Sequence, residues 1–230
     1  DAFGFNRSWE RSSDTMTVIM GQARVGATVS NSFSLAADGS KSVTAAYKDP
    51  AQLAGLSADL TPAQVLALEG ALHHRVYDGA ARITGASASV RATASVDAFG
   101  FNRSWERSTD KAKIIMGQER VEDTLSNSFS VAADNSKSVT AAYVDAAQLA
   151  GLSAELAPAA VMALAGAVHH RVYDTVARIT DAGSSVRATA SIDAFGFNRS
   201  WERSADAMVI IKGQERVKDT VSNSFSIAAD

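Results

Sequence analysis

Apolar and polar residues alternate over much of the chain with the period of two that β-strands show. In the segment 90–98 the even positions carry Val and Ala, while the odd positions carry Arg, Thr, Ser and Asp. The segment 25–35 alternates as clearly, with apolar residues, Asn31 and Phe33 at the odd positions. Both patterns predict half-buried strands. A helix is the alternative for the second segment, because Val121, Leu125 and Phe129 in the next copy are spaced by four, but its many Ser, Thr and Asn residues favour a strand.

Three further features complete the predicted sheet. The short apolar runs 16–20, 112–116 and 208–211 indicate a central strand. Asp38-Gly39 and Asp134-Asn135 have the chemistry of hairpin turns and lead into a strand at 42–47. The alternation changes phase after residue 98, because Phe99, Phe101 and Trp105 are at odd positions. A strand cannot change faces without an irregularity, so we predict a bulge or bend at 98–100.

A helix is predicted after the last of these strands. Thr61 is suited to the N-cap, Pro62 to the first turn, and Gln64 completes a capping box. The second copy keeps Pro158 but has Ala157 in place of the capping threonine. The predicted buried stripe of the helix consists of Val65, Leu68, Leu72, Val76 and Ile83.

The chain is a tandem repeat with a period of 96 residues. The string DAFGFNRSWERS begins at Asp1, Asp97 and Asp193, which defines unit 1 at 1–96, unit 2 at 97–192 and a partial unit 3 at 193–230. Unit 1 starts in the middle of a structural unit, so we expect a window on a longer array. We predict an α+β fold, in which each unit is a mainly antiparallel sheet of about four strands with one covering helix. No flexible linker separates the units, which indicates that they abut rigidly.

Composition narrows the partners and the location. The net charge of -3 gives no electrostatic reason to expect nucleic acid as a partner. No apolar run approaches the roughly 20 residues of a membrane span, and no signal peptide is recognisable. Cysteine is absent, which excludes disulfides and thiolate metal sites. A long cysteine-free repeat favours an extracellular or cell-surface location.

The aromatic segment of the repeat carries the densest candidate chemistry. Trp and Arg are the residues that dominate protein interfaces, and beside Asn they could also stack on and hydrogen-bond a sugar. We favour packing or an interface with other copies or neighbouring repeats over binding of surface glycans. The candidates are Phe99, Phe101, Arg103, Trp105, Trp9 and Trp201.

Two parts of the sequence resemble metal sites, and neither is favoured. His74 and His170 are followed four residues later by Asp78 and Asp174, but no third zinc ligand is evident, so an ion pair extended to Arg82 or Arg178 explains them. Asp38 and Asp134 faintly suggest calcium, but their loops lack the spaced carboxylates that this ion requires. No cofactor is therefore predicted, with calcium as the open alternative.

No enzyme motif is found: the sequence has no phosphate-binding glycine loop, no nucleophile elbow and no HExxH. Near-identical consecutive copies are typical of fibres and stalks, which gain reach and avidity from repetition. The pattern is similar, in architecture only, to the repeat regions of large bacterial surface and secreted fibres. We predict a structural segment of an extracellular filament, stalk, matrix protein or adhesin, able to self-assemble, for instance in a biofilm matrix. The alternative is a multivalent module that binds glycan or calcium.

Overall fold

A computed structural model describes residues 6–46, 59, 61–66, 73–142 and 169–228, and these residues are nearly all in β-strands. The one helix described is α1 (Pro62–Leu66). The strands are β1 (Arg7–Ile19), β2 (Gln22–Leu35), β3 (Lys41–Ala46), β4 (His73–Tyr77), β5 (Ile83–Ala86), β6 (Ser89–Val96), β7 (Arg103–Ile115), β8 (Gln118–Val131), β9 (Lys137–Ala142), β10 (His169–Tyr173), β11 (Ile179–Ala182), β12 (Ser185–Ile192), β13 (Arg199–Ile211) and β14 (Gln214–Ile227).

One antiparallel sheet runs through all three copies of the repeat. Its main ladder has the order β1-β2-β3-β6-β7-β8-β9-β12-β13-β14. The repeat boundary at residue 96 lies within a hairpin, where β6 of unit 1 pairs with β7 of unit 2 over eight residue pairs. The short hairpins β4–β5 and β10–β11 join the same sheet at β2 and β8. Consecutive units therefore share backbone hydrogen bonds.

The predicted α+β class is wrong. Helix α1 has five residues, and no helix among the described residues reaches seven. Val76 and Ile83, two residues of the predicted buried helical stripe, lie in β4 and β5, and Val76 is 50% exposed. The spacing of Val and Leu by three and four was mistaken for a helix, although two β-branched strands joined by a turn give similar spacing. Leu68, Leu72 and the second-copy positions Ala157 and Pro158 lie outside the described residues.

The predicted start of the helix is confirmed. The Gln64 amide donates to the Thr61 hydroxyl at 3.3 Å, and the Thr61 amide donates to the Gln64 side chain at 2.9 Å. These two bonds form the capping box. Val65, one turn later, is fully buried in the core of the sheet.

Replacing Thr61 by alanine is expected to cost about 1 kcal/mol of stability, because the cap fixes the short helix that places Val65. Urea denaturation checks this, with Thr61→Ser as the control because serine keeps the capping hydroxyl. Equal stability of the alanine and serine variants would contradict the role of the cap.

The two faces of the main ladder have opposite character because side chains alternate along each strand. One row on the buried face is entirely aromatic or aliphatic, and its neighbouring members are directly paired in register. In sheet order its members are Trp9, Phe33, Val43, Ala94, Trp105, Phe129, Val139, Ala190, Trp201 and Phe225. The predicted strands at 25–35 and 42–47 are confirmed as β2 and β3, except that Tyr47 lies outside the described residues.

The apolar runs predicted to form a central strand instead end the long hairpins. Met16 is 56% exposed, Val18 71% and Met20 79%. Each hairpin closes with two residues of positive φ, such as Met20 at 51° and Gly21 at 75°, which is the geometry of a tight primed turn. The apolar runs belong to two-stranded tips beyond the width of the main ladder, so the prediction of a buried central strand is wrong.

The irregularity predicted at 98–100 is present, but it is larger than a bulge. Residues 97–102 reverse the chain between β6 and β7, and Gly100 has a φ of 82°. The absence of a linker suggests a strand that continues straight into the next unit, but the structure has a reversal at this point. The chain turns back after β6, and β6 pairs with β7, the next strand in the sequence.

Candidate interface at the repeat junction

The turn between β6 and β7 is organised by one carboxylate. Asp97 Oδ1 accepts hydrogen bonds from the amides of Phe99 at 3.2 Å and Phe101 at 2.9 Å, and its Oδ2 accepts one from the Asn102 side chain at 2.5 Å. Burial acts to raise the pKa of Asp97, but these hydrogen bonds outweigh it and hold the pKa below its ordinary value. The carboxylate is thus occupied by its own turn.

A second contact joins this turn to the next one along the sheet. The Ala133 amide donates to Asn102 Oδ1 at 2.8 Å, which connects the β6–β7 turn with the β8–β9 turn. Asn6 accepts from the Ala37 amide in the same way at 2.9 Å. The asparagine of the DAFGFN string therefore fixes two turns at one end of the strands.

The two phenylalanines of each described turn face solvent. Phe99 is 81% and Phe101 62% exposed, and their counterparts Phe195 and Phe197 are 80% and 64% exposed. Leaving such rings in water forgoes roughly 1.5–3 kcal/mol each relative to full burial. Folding of the described residues does not account for this repeated pair of exposed rings.

The other residues of the aromatic segment have different surroundings. Arg103 forms an ion pair with Asp59, with Nη1 and Oδ2 2.5 Å apart. Trp105 packs against the core, and its ring centroid is 5.6 Å from that of Phe129. The structure therefore separates the predicted candidates: the phenylalanines are exposed in the turn, whereas the tryptophan belongs to the buried face.

Trp9 and Trp201 occupy the same place in the other two copies. Their ring centroids are 5.4 Å from Phe33 and 5.7 Å from Phe225. Phe33 is 4% exposed, whereas Phe225 on the edge strand β14 is 62% exposed. The exposure of the phenylalanine in this Trp–Phe pair therefore depends on which strands lie beside it.

The face of the sheet opposite the core carries a row of serines that spans the whole ladder. Each serine is directly paired in register with the next. In sheet order the row consists of Ser8, Ser34, Ser42, Ser95, Ser104, Ser130, Ser138, Ser191, Ser200 and Ser226.

Nine of these ten serines, all except Ser8, line one or both of two troughs of about 560 Å³ each. Asp97 and Asn102 line the first trough, and Asp193 and Asn198 line the second. Every residue lining the second trough lies 96 positions after its counterpart in the first. Ser130 lines both, so the two troughs adjoin.

Ion pairs also join neighbouring units, at the end of the strands opposite the junction turns. Glu119 of unit 2 lies 2.5 Å from His73 Nε2 and 2.9 Å from Arg75 Nε, both of which are in strand β4 of unit 1. Glu215 makes the corresponding contacts with His169 and Arg171. We refer to each such group as the inter-repeat clamp.

The clamp gives the junction a dependence on pH. Burial acts to raise the pKa of Glu119, but the contacts with His73 and Arg75 outweigh it and hold the pKa below its ordinary value of 4.5. The contribution of the ionised carboxylate to stability is complete above the ordinary value and is lost as the pH falls through the lowered one. Acid should therefore loosen the junction.

We expect Glu119→Gln to lower stability at neutral pH by roughly 1–2 kcal/mol, the difference between charge-assisted and neutral hydrogen bonds. The variant should also lose stability less steeply on acidification. Urea unfolding from pH 7 to pH 3 measures both effects. Glu122→Gln is the matched control, because Glu122 lies on the same strand but contacts Lys111 and Lys113 of its own hairpin. Identical pH profiles for the two variants would exclude a special role of the clamp.

The two histidine candidates lie on strands. His170 Nδ1 is 2.6 Å from Asp123 Oδ1, so its ring pairs with Asp123, whereas the sequence predicts Asp174. His74 lies on β4, and its backbone amide donates to the Ser87 hydroxyl group. Asp78 bonds Arg82 as the sequence predicts, but through a turn between strands and not along a helix.

The two calcium candidates cap their own hairpin turns. Asp38 accepts from the Ser40 amide and Asp134 from the Ser136 amide, each at 2.9 Å. Among the described residues no group of three or more His, Cys, Asp or Glu side chains is placed to hold a metal ion.

Sequence reasoning missed both the clamp and the serine row. The clamp had a detectable signal, because the position of Glu119 is Ala23 in unit 1, and a charge at one copy of a repeat indicates a changed contact. The serine row depends on strand order and register, which the periodicity of a single strand does not contain.

No helix in the described part of the chain is long and apolar enough to cross a membrane. Comparison with known protein families, curated proteins and solved structures gives no match for this chain.

Proposed function

We propose that this chain is a structural segment of a long extracellular or cell-surface array, in which each repeat extends one continuous β-sheet. The observation that carries the proposal is the ladder of eight residue pairs between β6 and β7, which crosses the repeat boundary. The equivalent ladder between β12 and β13 has the same eight-pair register. Neighbouring repeats are thus each other's binding partners.

Three sets of contacts at the boundary between units 1 and 2 support a mechanical role. Backbone hydrogen bonds join β6 to β7, Arg103 forms an ion pair with Asp59, and the clamp of Glu119 joins the units at the other end of the strands. Shearing one unit from the next requires all three to break. A repeat array whose units share a sheet transmits load without a flexible linker.

The role proposed is binding and support, with no reaction. The main ladder offers a dry face of Trp, Phe, Val and Ala and a wet face of Ser, Thr and Glu. The carboxylates of the described junction turns are held by their own backbone, as Asp97 is. Such a surface can bind other molecules through packing and hydrogen bonds. This property is consistent with a component of a filament, stalk or matrix.

Negative-stain electron microscopy of the native full-length protein tests the proposal. We expect long, unbranched and stiff particles at the cell surface or in the surrounding matrix, located by an antibody against the repeat. Treatment with a calcium chelator in parallel tests whether the array needs that ion. Compact particles confined to the cell interior would contradict the proposal.

A further inference from the structure

We propose that the serine trough and the exposed phenylalanine pair of each junction together bind a linear, uncharged polysaccharide. This goes beyond the structural role and does not depend on it. The Phe99–Phe101 pair belongs to the same turn whose Asp97 and Asn102 line the first trough. The two rings are not among the residues that line the trough, and the proposal places them at its rim. There they would add stacking to the hydrogen bonds that the hydroxyl groups offer, and sugar rings use both contacts.

The shape of the site favours a polymer. The troughs adjoin at Ser130, and their floor crosses the strands at the spacing of neighbouring strands, about 4.7–4.9 Å. This spacing is comparable with the width of a sugar ring. A chain of sugars lying across the strands would meet one hydroxyl group per strand and one phenylalanine pair per repeat.

The charges at the site favour an uncharged ligand. Asp97 is held by donors of its own turn, and Arg103 is paired with Asp59. Lys41 also lines the first trough, where its charge is opposite to that of Asp97, so these two lining charges offset each other. The net charge of -3 and the pI near 5.8 disfavour acidic polymers.

The serine hydroxyl groups keep bonding capacity after they pair with each other. Ser95 Oγ and Ser104 Oγ are 2.6 Å apart, and this pair uses one hydrogen. A hydroxyl group has one hydrogen and two lone pairs, so each such pair retains a donor and several acceptors. The Thr44 and Thr93 hydroxyl groups, 3.1 Å apart one row further in, add to the polar surface.

The test is a pull-down of the full chain with insoluble cellulose, chitin and β-1,3-glucan, with heparin beads as the acidic comparison. We expect retention on at least one neutral polymer and not on heparin. Two variants are compared with the parent chain. The phenylalanine variant combines Phe99→Ala, Phe101→Ala, Phe195→Ala and Phe197→Ala. The serine variant combines Ser104→Ala and Ser200→Ala. The phenylalanine variant should bind at least tenfold less, and the serine variant severalfold less.

The matched control is Met20→Ala with Met116→Ala, which removes side chains that are 79% and 75% exposed at the opposite end of the strands. This variant should bind as the parent chain does, and circular dichroism should show all variants folded. Absence of retention on every neutral polymer, or equal loss in the methionine control, would overturn the proposal. Sedimentation tests the other use of the rings. If the chain self-associates, the phenylalanine changes abolish that association and no polymer retains the chain, then the rings form contacts between copies, and the polysaccharide proposal is overturned.

Discussion

Truncation of Phe129 to alanine is expected to destabilise the chain by about 3–5 kcal/mol, whereas the same change at Phe225 should cost less than about 1 kcal/mol. The two residues occupy the same position of the repeat. Phe129 is 4% exposed and lies in the core between β7 and β9, whereas Phe225 is 62% exposed on β14. The difference arises because only the first side chain is removed from a packed environment.

Urea denaturation of the two variants beside the parent chain measures this difference. Both variants remove the same atoms and the same aromatic neighbour, since Trp105 and Trp201 lie at similar centroid distances of 5.6 and 5.7 Å. Equal losses of stability would show that the contribution of each phenylalanine to the free energy of unfolding depends on its position in the repeat and not on burial by adjoining strands. That outcome would contradict the proposed packing of the units.

Replacement of Thr93 by proline should cost 3 kcal/mol or more and should uncouple unit 1 from unit 2. Thr93 is in β6, which pairs with β3 on one side and with β7 on the other, so its amide lies within the ladder. Proline removes that donor from an interior strand. Because β6 carries the junction, unfolding should separate into two transitions.

The control for this change is Thr93→Ala, which removes the hydroxyl contact with Thr44 but keeps the amide. Its cost should stay near or below 1 kcal/mol. Calorimetry distinguishes one transition from two. A proline variant as stable as the alanine variant, with a single transition, would show that β6 is not a central strand.

The strands that alternate cleanly were predictable from the sequence. In β2, the odd positions Asn31 and Phe33 are buried, and the period of two records that burial directly. The turns at Asp38 and Asp134 were predictable because their side chains bond the backbone two residues later. The capping box at Thr61 and Gln64 was likewise a local signal.

The helix was overestimated because a local start signal was extended by a coincidental spacing. Val76 and Ile83 match a helical stripe in sequence, but they lie in β4 and β5. Two short strands that contain β-branched residues reproduce helical spacings across a turn, and Val76 is 50% exposed, so it is not part of a buried stripe. A capping box establishes where a helix begins and carries no information about its length.

The apolar composition of the runs also led to a wrong prediction of their burial. The segment 16–20 is as apolar as a buried strand, yet Met16, Val18 and Met20 are all more than half exposed. The tight turn at Met20-Gly21 places this segment at the tip of a hairpin, where two strands have no further neighbours in the main ladder. Burial here is decided by the number of flanking strands, which is a property of the whole sheet.

The candidate site was predicted in part. The sequence singled out the phenylalanines, Arg103 and the tryptophans as one segment, and the structure divides them between solvent, an ion pair with Asp59 and the core. The reason is the turn at 97–102, which reverses the chain inside the segment. The serine trough required knowledge of ten strands in register and was not accessible from one strand.

The most direct test of a sheet that continues through every repeat is the length gained per unit. Each unit adds four strands to the main ladder, as β7, β8, β9 and β12 do for unit 2, which corresponds to roughly 19 Å at the usual strand spacing. Small-angle X-ray scattering of arrays with two, four and six units should show a rod of constant cross-section whose length increases by about that amount per unit. A length that grows with the square root of the number of units, as for a flexible string of domains, would contradict the account.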